Sequence, residues 1–253
     1  MMLINCDMGE SFGIWELGED QTIMPFIDMA NIACGMHASD PSVMLKTVRC
    51  AKAHNVKIGA HPGYNDLQGF GRRFIEMPLP ELQALFIYQL GALQGICQSE
   101  GVQLSYVKPH GALYNAMMKS DIIFMALMEA LAKYDNSLPF MAMAVPDYQR
   151  YQEMAAQHNI SLLFEAFVDR TYQQDGRLTP RSQSGACHSD LQSICDQAMQ
   201  LVEQQSVLSI DNIEVPIKAD TLCIHGDGAL AVDVAKALYQ RLKSVSESAE
   251  NVS

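Results

Sequence analysis

The sequence predicts an α/β fold: a (β/α) barrel, irregular and with about seven strands. Two observations carry this. Short apolar runs alternate with longer stretches of helical periodicity along most of the 253 residues. Four runs also close on a histidine within two residues of a glycine, in NIACGMH, KIGAHPG, YVKPHG and TLCIHG, at His37, His61, His110 and His225. Strands of a parallel sheet buried on both faces read as near-continuous apolar runs, and their C-terminal ends share the face where α/β proteins carry their chemistry. An open doubly wound sheet is the alternative, but it gathers its polar residues at one switch point. Here they follow nearly every strand.

The expected strands, in order, are Leu3–Met8, Met29–Cys34, Lys57–His61, Leu104–Lys108, Phe140–Val145, Leu162–Phe167 and Thr221–His225. Pro41 behind Asp40 has the form of a first-turn proline after an N-cap and opens a helix to about His54. Pro80–Cys97 sets Leu82, Leu85, Phe86, Leu90, Leu93 and Ile96 at helical spacing, and Asp121–Leu131, Asp190–Val202 and Gly228–Leu242 read likewise. One unit breaks the alternation. Ser206–Ile210 and Ile213–Ile217 flank Asp211 and Asn212 as a hairpin with a tight turn. No repeat or linker interrupts the chain, so one barrel domain over residues 1–243 is expected, with a frayed polar tail over 244–253.

Composition bounds the function. With 49% hydrophobic and 18% charged residues the chain can bury one full core. A net charge of -12, without any basic tract, argues against nucleic acid and anionic membranes as partners. No apolar run approaches the ~18 residues of a membrane span, and the opening MMLINCDMGE lacks the regions of a signal peptide. The seven cysteines are odd in number and form no C-x-x-C pair. That suits reduced thiols in the cytoplasm rather than a disulfide framework or structural zinc.

The strand ends supply the chemistry. Asp7, with Glu10 three residues on, can act as base and orienter; the plainer role for an Asp near Gly is a turn or cap. Lys108 at the end of a buried strand must be paired or working. It polarises a carbonyl, holds a carboxylate, or forms a structural ion pair with Asp7 or Glu165. In the glycine-punctuated loop after His61, Arg72 and Arg73 could clamp a carboxylate or phosphate, or make only surface salt bridges. His54 and His158 read as surface or helix-capping residues, and His188 stays unassigned. Asp7, His37, His61 and His225 are the candidate ligands should a metal bind directly, although no local ligand spacing marks such a site. Gly69-Phe70-Gly71 lacks the rest of a dinucleotide fingerprint, and no phosphate-loop motif occurs.

The stretches INCDMGESFG, NIACGMHASD, IGAHPGYNDLQGFGRR, VKPHGALYN, EAFVDRTYQQDGRLTPR and CIHGD, spanning residues 4 to 227 in order, resemble the LamB/YcsF family, the A subunits of bacterial 5-oxoprolinases. Small departures fall at Cys6, where the family often has alanine, and at Ser39, where it often has glycine. The resemblance implies a (β/α) barrel akin to the glycoside hydrolase and carbohydrate deacetylase barrels. It also implies ATP-dependent ring opening of 5-oxo-L-proline to L-glutamate with subunits B and C. ATP and its Mg2+ would then be held wholly or partly by those partners, which fits the missing phosphate loop. On this footing Asp7, Glu10, His37, His61, Lys108, His110, Asp169 and His225 are the candidate catalytic residues, and Tyr64, Arg72, Arg73, Arg170 and Asp227 the candidate substrate-binding ones. The competing readings are a metal-dependent, carbohydrate deacetylase-like hydrolase and a scaffold within the complex that has no catalytic role.

Overall fold

The computed structural model describes residues 2–226 and 228–250. Seven parallel strands close a barrel in chain order: β1 (Leu3–Met8), β2 (Met29–Ala33), β3 (Lys57–His61), β4 (Tyr106–Val107), β5 (Phe140–Met143), β6 (Leu162–Phe167) and β9 (Thr221–Ile224), with β9 pairing back onto β1. Closure excludes the open sheet. The hairpin forms as β7 (Ser206–Leu208) and β8 (Glu214–Pro216), antiparallel, with shorter arms than expected. The ladder ends early because Ser209 spans the turn itself, its N–H donating to the Ile213 carbonyl at 2.8 Å. β4 is also shorter than Leu104–Lys108, since Pro109 offers no donor. Its flanks still pair with β3, Ser105 N to Ile58 O at 2.7 Å and Lys108 N to Ala60 O at 2.9 Å.

The outer ring comprises α1 (Asp20–Ile23), α2 (Pro41–Ala53), α3 (Leu79–Ser99), α4 (Gly111–Met117), α5 (Asp121–Asp135), α6 (Tyr148–Ala156), α7 (Leu191–Gln204) and α8 (Ala231–Glu250), with a 3-10 turn over Met24–Phe26. Asp40 caps α2 as expected, its Oδ1 accepting from Ser42 N at 2.8 Å and Val43 N at 3.1 Å, and Asp190 caps α7 in the same way through Ser193 N. His54 closes α2, its ring Nδ1 3.0 Å from the Cys50 carbonyl. Three helices, α1, α4 and α6, have no counterpart in the sequence expectation. They are short, and α6 buries only Tyr151 and Ala155, too few apolar positions to establish a period. Where a frayed tail from Ser244 was expected, the helical backbone of α8 continues to Glu250, through a stretch that contains no glycine or proline.

Two kinds of burial hold the barrel. Outward strand residues such as Ile4, Cys6, Ile32 and Ala60 join the helices in one large apolar core. Inside, alternation along each strand sends every second residue to the axis. The lower interior is apolar: Met29, Tyr106 and Met141, flanked by Leu3 and Leu163. Gly59 makes this layer possible. A Cβ there would stand 2.2 Å from the Tyr106 ring. The next interior layer, toward the C-terminal ends, is polar.

Candidate active site

The polar layer is one connected network. Asn31 Nδ2 on β2 donates to Asn5 Oδ1 and Asp7 Oδ1 on β1, both at 2.8 Å, and Tyr106 OH donates to Asn31 Oδ1 at 2.6 Å. Lys108, beyond β4, is 3% exposed; its Nζ lies 2.9 Å from both Asp7 Oδ1 and Glu165 Oε2, with Cys223 Sγ at 3.2 Å and Asn5 Oδ1 at 3.3 Å. The ion pair with Asp7 or Glu165 is therefore made with both, and the ammonium's donors are spent inside the barrel. Burial opposes charge on Asp7, but Lys108, joined by His61, outweighs it and holds the carboxyl well below the usual range. Burial likewise opposes charge on Lys108; Asp7, Cys223 and Glu165 reverse this and raise it well above an ordinary lysine.

Above this network, three histidines from successive strand ends converge. His37 and His110 stack in parallel with ring centroids 3.6 Å apart, and His61 meets both edge-on. The loop after β3 presses on them. Gly71, at φ +62, leaves no room for a Cβ, which would lie 2.6 Å from His37 Cβ, and Phe70 O accepts from His110 Nε2 at 2.8 Å. Gln89 of α3 anchors the start of the loop, bonding both N–H and carbonyl of Gly63 at 2.9 Å. Burial drives the His37 pKa far down, with His110 and His61 adding to it. Burial and His61 push His110 down to about 3. Glu10 joins this group, 3.5 Å from His37 and 3.7 Å from His110.

A separate dyad faces the group across the barrel mouth. His225 Nδ1 lies 2.8 Å from Asp169 Oδ2, and Phe167 stacks on the imidazole. Burial disfavours the imidazolium, but Asp169 outweighs it and raises the His225 pKa above its ordinary value. Gln197 of α7 fixes this strand end, donating to the carbonyls of Phe167, Val168 and Arg170. The loop beyond β6 then folds over the mouth. Arg170 ties it together through Thr179 O at 2.6 Å and Ala186 O at 3.1 Å, and Arg177 reaches Met118 O at 2.6 Å.

Between the two groups lies a cavity of about 520 Å³, within the range of small-molecule sites. Of the expected residues, Asp7, Glu10, His61, Arg72, Lys108, His110, Arg170 and His225 line it. His37 and Asp169 stand behind the lining, against His110 and His225. Arg73 turns away to pair with Asp66, and Tyr64 is buried against Phe74, so neither reaches the cavity. Arg170 reaches the lining and also braces the loop through the carbonyls of Thr179 and Ala186. Asp227 lies outside the described residues. The metal-capable set also differs. Among the described residues it is Glu10, His37, His61 and His110, with donor atoms within 4.8 Å of one another. His225 is engaged by Asp169 instead, and Asp7 by Lys108.

Sequence reasoning passed over Lys119, Arg177 and Arg181 at the mouth, and Asn5, Asn31, Tyr106 and Cys223 beneath it. The two arginines had a signal, since both sit in the long polar loop after β6. The interior residues had a fainter one: a polar side chain within a buried strand must have a partner. Arg72, Lys119, Arg177 and Arg181 make the mouth cationic on a chain of net charge -12.

Known proteins share this architecture. The LamB/YcsF family profile matches residues 2–253. A Vibrio vulnificus protein (strain YJ016) named as the A subunit of 5-oxoprolinase is 50% identical over 239 residues, covering 94% of this chain and 96% of its own length. One of Pseudomonas fluorescens strain Pf0-1 with the same name is 48% identical, covering 97% and 98%. Among solved structures, a lactam utilization protein from Thermus thermophilus superposes with a TM-score of 0.90 at 38% identity, covering 97% of each chain. A putative cellobiose-phosphate cleavage protein from Enterococcus faecalis V583, with a TM-score of 0.60 and 13% identity over 98% of this chain and 94% of its own, shares the fold.

Proposed function

The chain belongs to the LamB/YcsF family, and from that premise we propose that it is the ring-opening component of an ATP-dependent 5-oxoprolinase, converting 5-oxo-L-proline to L-glutamate together with subunits B and C. One observation carries the reading: a cavity with an Asp–His dyad on one wall, an ionised acid on its floor and cations at its mouth, in a chain half identical to proteins named for that activity.

The chemistry asks for each part. A five-membered lactam is an unstrained amide, so hydrolysis is driven by transferring the γ-phosphoryl of ATP to the lactam oxygen. Water adds to the carbon that bears the phosphorylated oxygen; the ring nitrogen takes a proton and leaves, opening the ring to an acyl phosphate. A second water then releases phosphate and glutamate. His225 suits both proton transfers. Asp169 holds its Nδ1, leaving Nε2 toward the cavity, and raises its pKa toward the working range of a general base and acid. Asp7 is held ionised too firmly by Lys108 to be a good base, and instead orients groups and stabilises positive charge. Lys108 and Asp169 are positioning residues. Arg72, Arg181 and Lys119 fit the substrate carboxylate and the transferred phosphoryl group.

Phosphorylation itself we assign to the partner chains, which would hold ATP and its Mg2+. The sequence carries no phosphate loop, and the cavity is larger than the lactam alone fills, leaving space for its phosphorylated form. Ile14 and Trp15, exposed on the loop after β1, offer those partners an apolar contact. Free thiols at all seven cysteines and the need for ATP favour the cytoplasm; no helix among the described residues is long and apolar enough to cross a membrane.

The test is glutamate release from 5-oxoproline by the purified chain, with and without subunits B and C and ATP. Release only when all are present is expected. Release by this chain with ATP but no partner would end the division of labour, and release without ATP would point to a plain amide hydrolase.

A further inference from the structure

The histidine group contains a hydrogen-bonding conflict that a cation resolves. His61 Nδ1 lies 2.7 Å from the Lys108 carbonyl, and His110 Nε2 lies 2.8 Å from the Phe70 carbonyl. A carbonyl only accepts, so both of these nitrogens carry hydrogen. In neutral rings the remaining nitrogens, His61 Nε2 and His110 Nδ1, are then lone-pair atoms, and they face each other at 3.1 Å. Two lone pairs so close repel unless a cation serves both. The choices are a shared proton, which Asp7 Oδ2 at 3.5 Å from His61 Nε2 would also attract, or a metal ion.

Two further observations select between them. His37 is fully buried, and neither of its nitrogens has a hydrogen-bond partner among the described residues. A proton shared by His61 and His110 leaves that orphan in place, whereas an ion gives it a partner. The spacing also fits. A tetrahedral ion with bonds of about 2.05 Å holds neighbouring donors about 3.3 Å apart. Here His61 Nε2 and His110 Nδ1 are separated by 3.1 Å, and His110 Nδ1 and Glu10 Oε1 by 3.7 Å.

We propose that Glu10, His61 and His110, completed by His37 rotating out of its stack on His110, bind one divalent transition-metal ion at the cavity floor. Three imidazole nitrogens and one carboxylate oxygen make a donor set suited to zinc and its neighbours rather than to magnesium or calcium. The carbonyls of Lys108 and Phe70 fix the outer nitrogens of two of the rings, which sets the tautomer that leaves the inner nitrogens free to ligate. Glu10, His61 and His110 line the cavity, so the ion would meet whatever binds there. The site goes beyond the proposed reaction and stands whichever amide is hydrolysed.

The test reads metal rather than turnover. The full chain, stripped with chelator and dialysed, is titrated with Zn2+ and separately with Co2+. About one ion per chain is expected, with visible Co2+ absorption and displaced 15N shifts for His37, His61 and His110. E10Q and H61A should weaken binding at least about tenfold, and H54A, on the surface, should leave it unchanged. Should the site variants fail to fold, the 15N spectrum of the unaltered chain still decides. No stoichiometric binding, with His61 protonated on both nitrogens in the metal-free protein, would overturn the proposal in favour of the shared proton. Glutamate release is assayed separately, so failure of the ring-opening reading leaves this result intact.

Discussion

Replacing Lys108 with methionine, which keeps the stem and removes the charge, should expose how the barrel interior balances its acids. Lys108 lies 2.9 Å from Asp7 and from Glu165, and both it and Glu165 are buried. Removing the cation leaves two carboxylates in a water-poor layer. Breaking a buried pair in this way costs about 3–5 kcal/mol, a large part of the ~5–15 kcal/mol that stabilises a typical domain. For a chain of this size that corresponds to a fall in Tm of very roughly 6–20 °C.

The cost should depend on pH. Asp7 has a depressed pKa in the folded protein, so its contribution is present above its unfolded value near ~3.9 and is lost as pH falls through the folded value. In K108M that depression disappears and burial raises the Asp7 pKa, so the carboxyl neutralises sooner on acidification. The gap between the two proteins should therefore narrow from about pH 7 to about pH 5. Urea unfolding of both proteins at the two values measures it. A gap under about 1 kcal/mol at neutral pH, or one that does not change with pH, would refute the account of Lys108 as the counter-ion of Asp7.

Other expectations follow from single contacts. D169N should move the acidic limb of the activity profile to lower pH, because Asp169 is what raises His225, and should slow turnover by about 10²–10⁴-fold; an unmoved limb would remove His225 from proton transfer. G59A should cost about 1–3 kcal/mol by overpacking against Tyr106, measurable by thermal melting, and adding Y106L should recover part of it. R181Q, which removes the guanidinium 3.5 Å from His225 Nε2, should raise KM for 5-oxoproline by about tenfold with a smaller change in kcat.

The barrel was legible in the chain because its strands, buried on both faces, have to be apolar throughout, and each ends where backbone and side chains turn polar. Seven of the eight cavity-lining candidates, Asp7, Glu10, His61, Lys108, His110, Arg170 and His225, sit on or within three residues of a strand's C-terminal end, where that pattern points. Helices α1, α4 and α6 were not legible, being too short to display a period.

The sequence by itself determined the strand order, the face that carries the site and the cast of acids, histidines and cations on it, since these depend on local pattern and on the geometry every parallel barrel shares. Only the tertiary structure decided who meets whom. It set Arg73 on Asp66 and Arg72 on the cavity, although the two are adjacent in sequence. It separated His225, given to Asp169, from the three histidines gathered about Glu10, although all four close similar runs. The physical reason is that partnership depends on which strand ends neighbour one another around the closed barrel and on how the loops after β3 and β6 fold over them. Contacts of that kind, most of them tens of residues or more apart along the chain, leave no periodic trace in it.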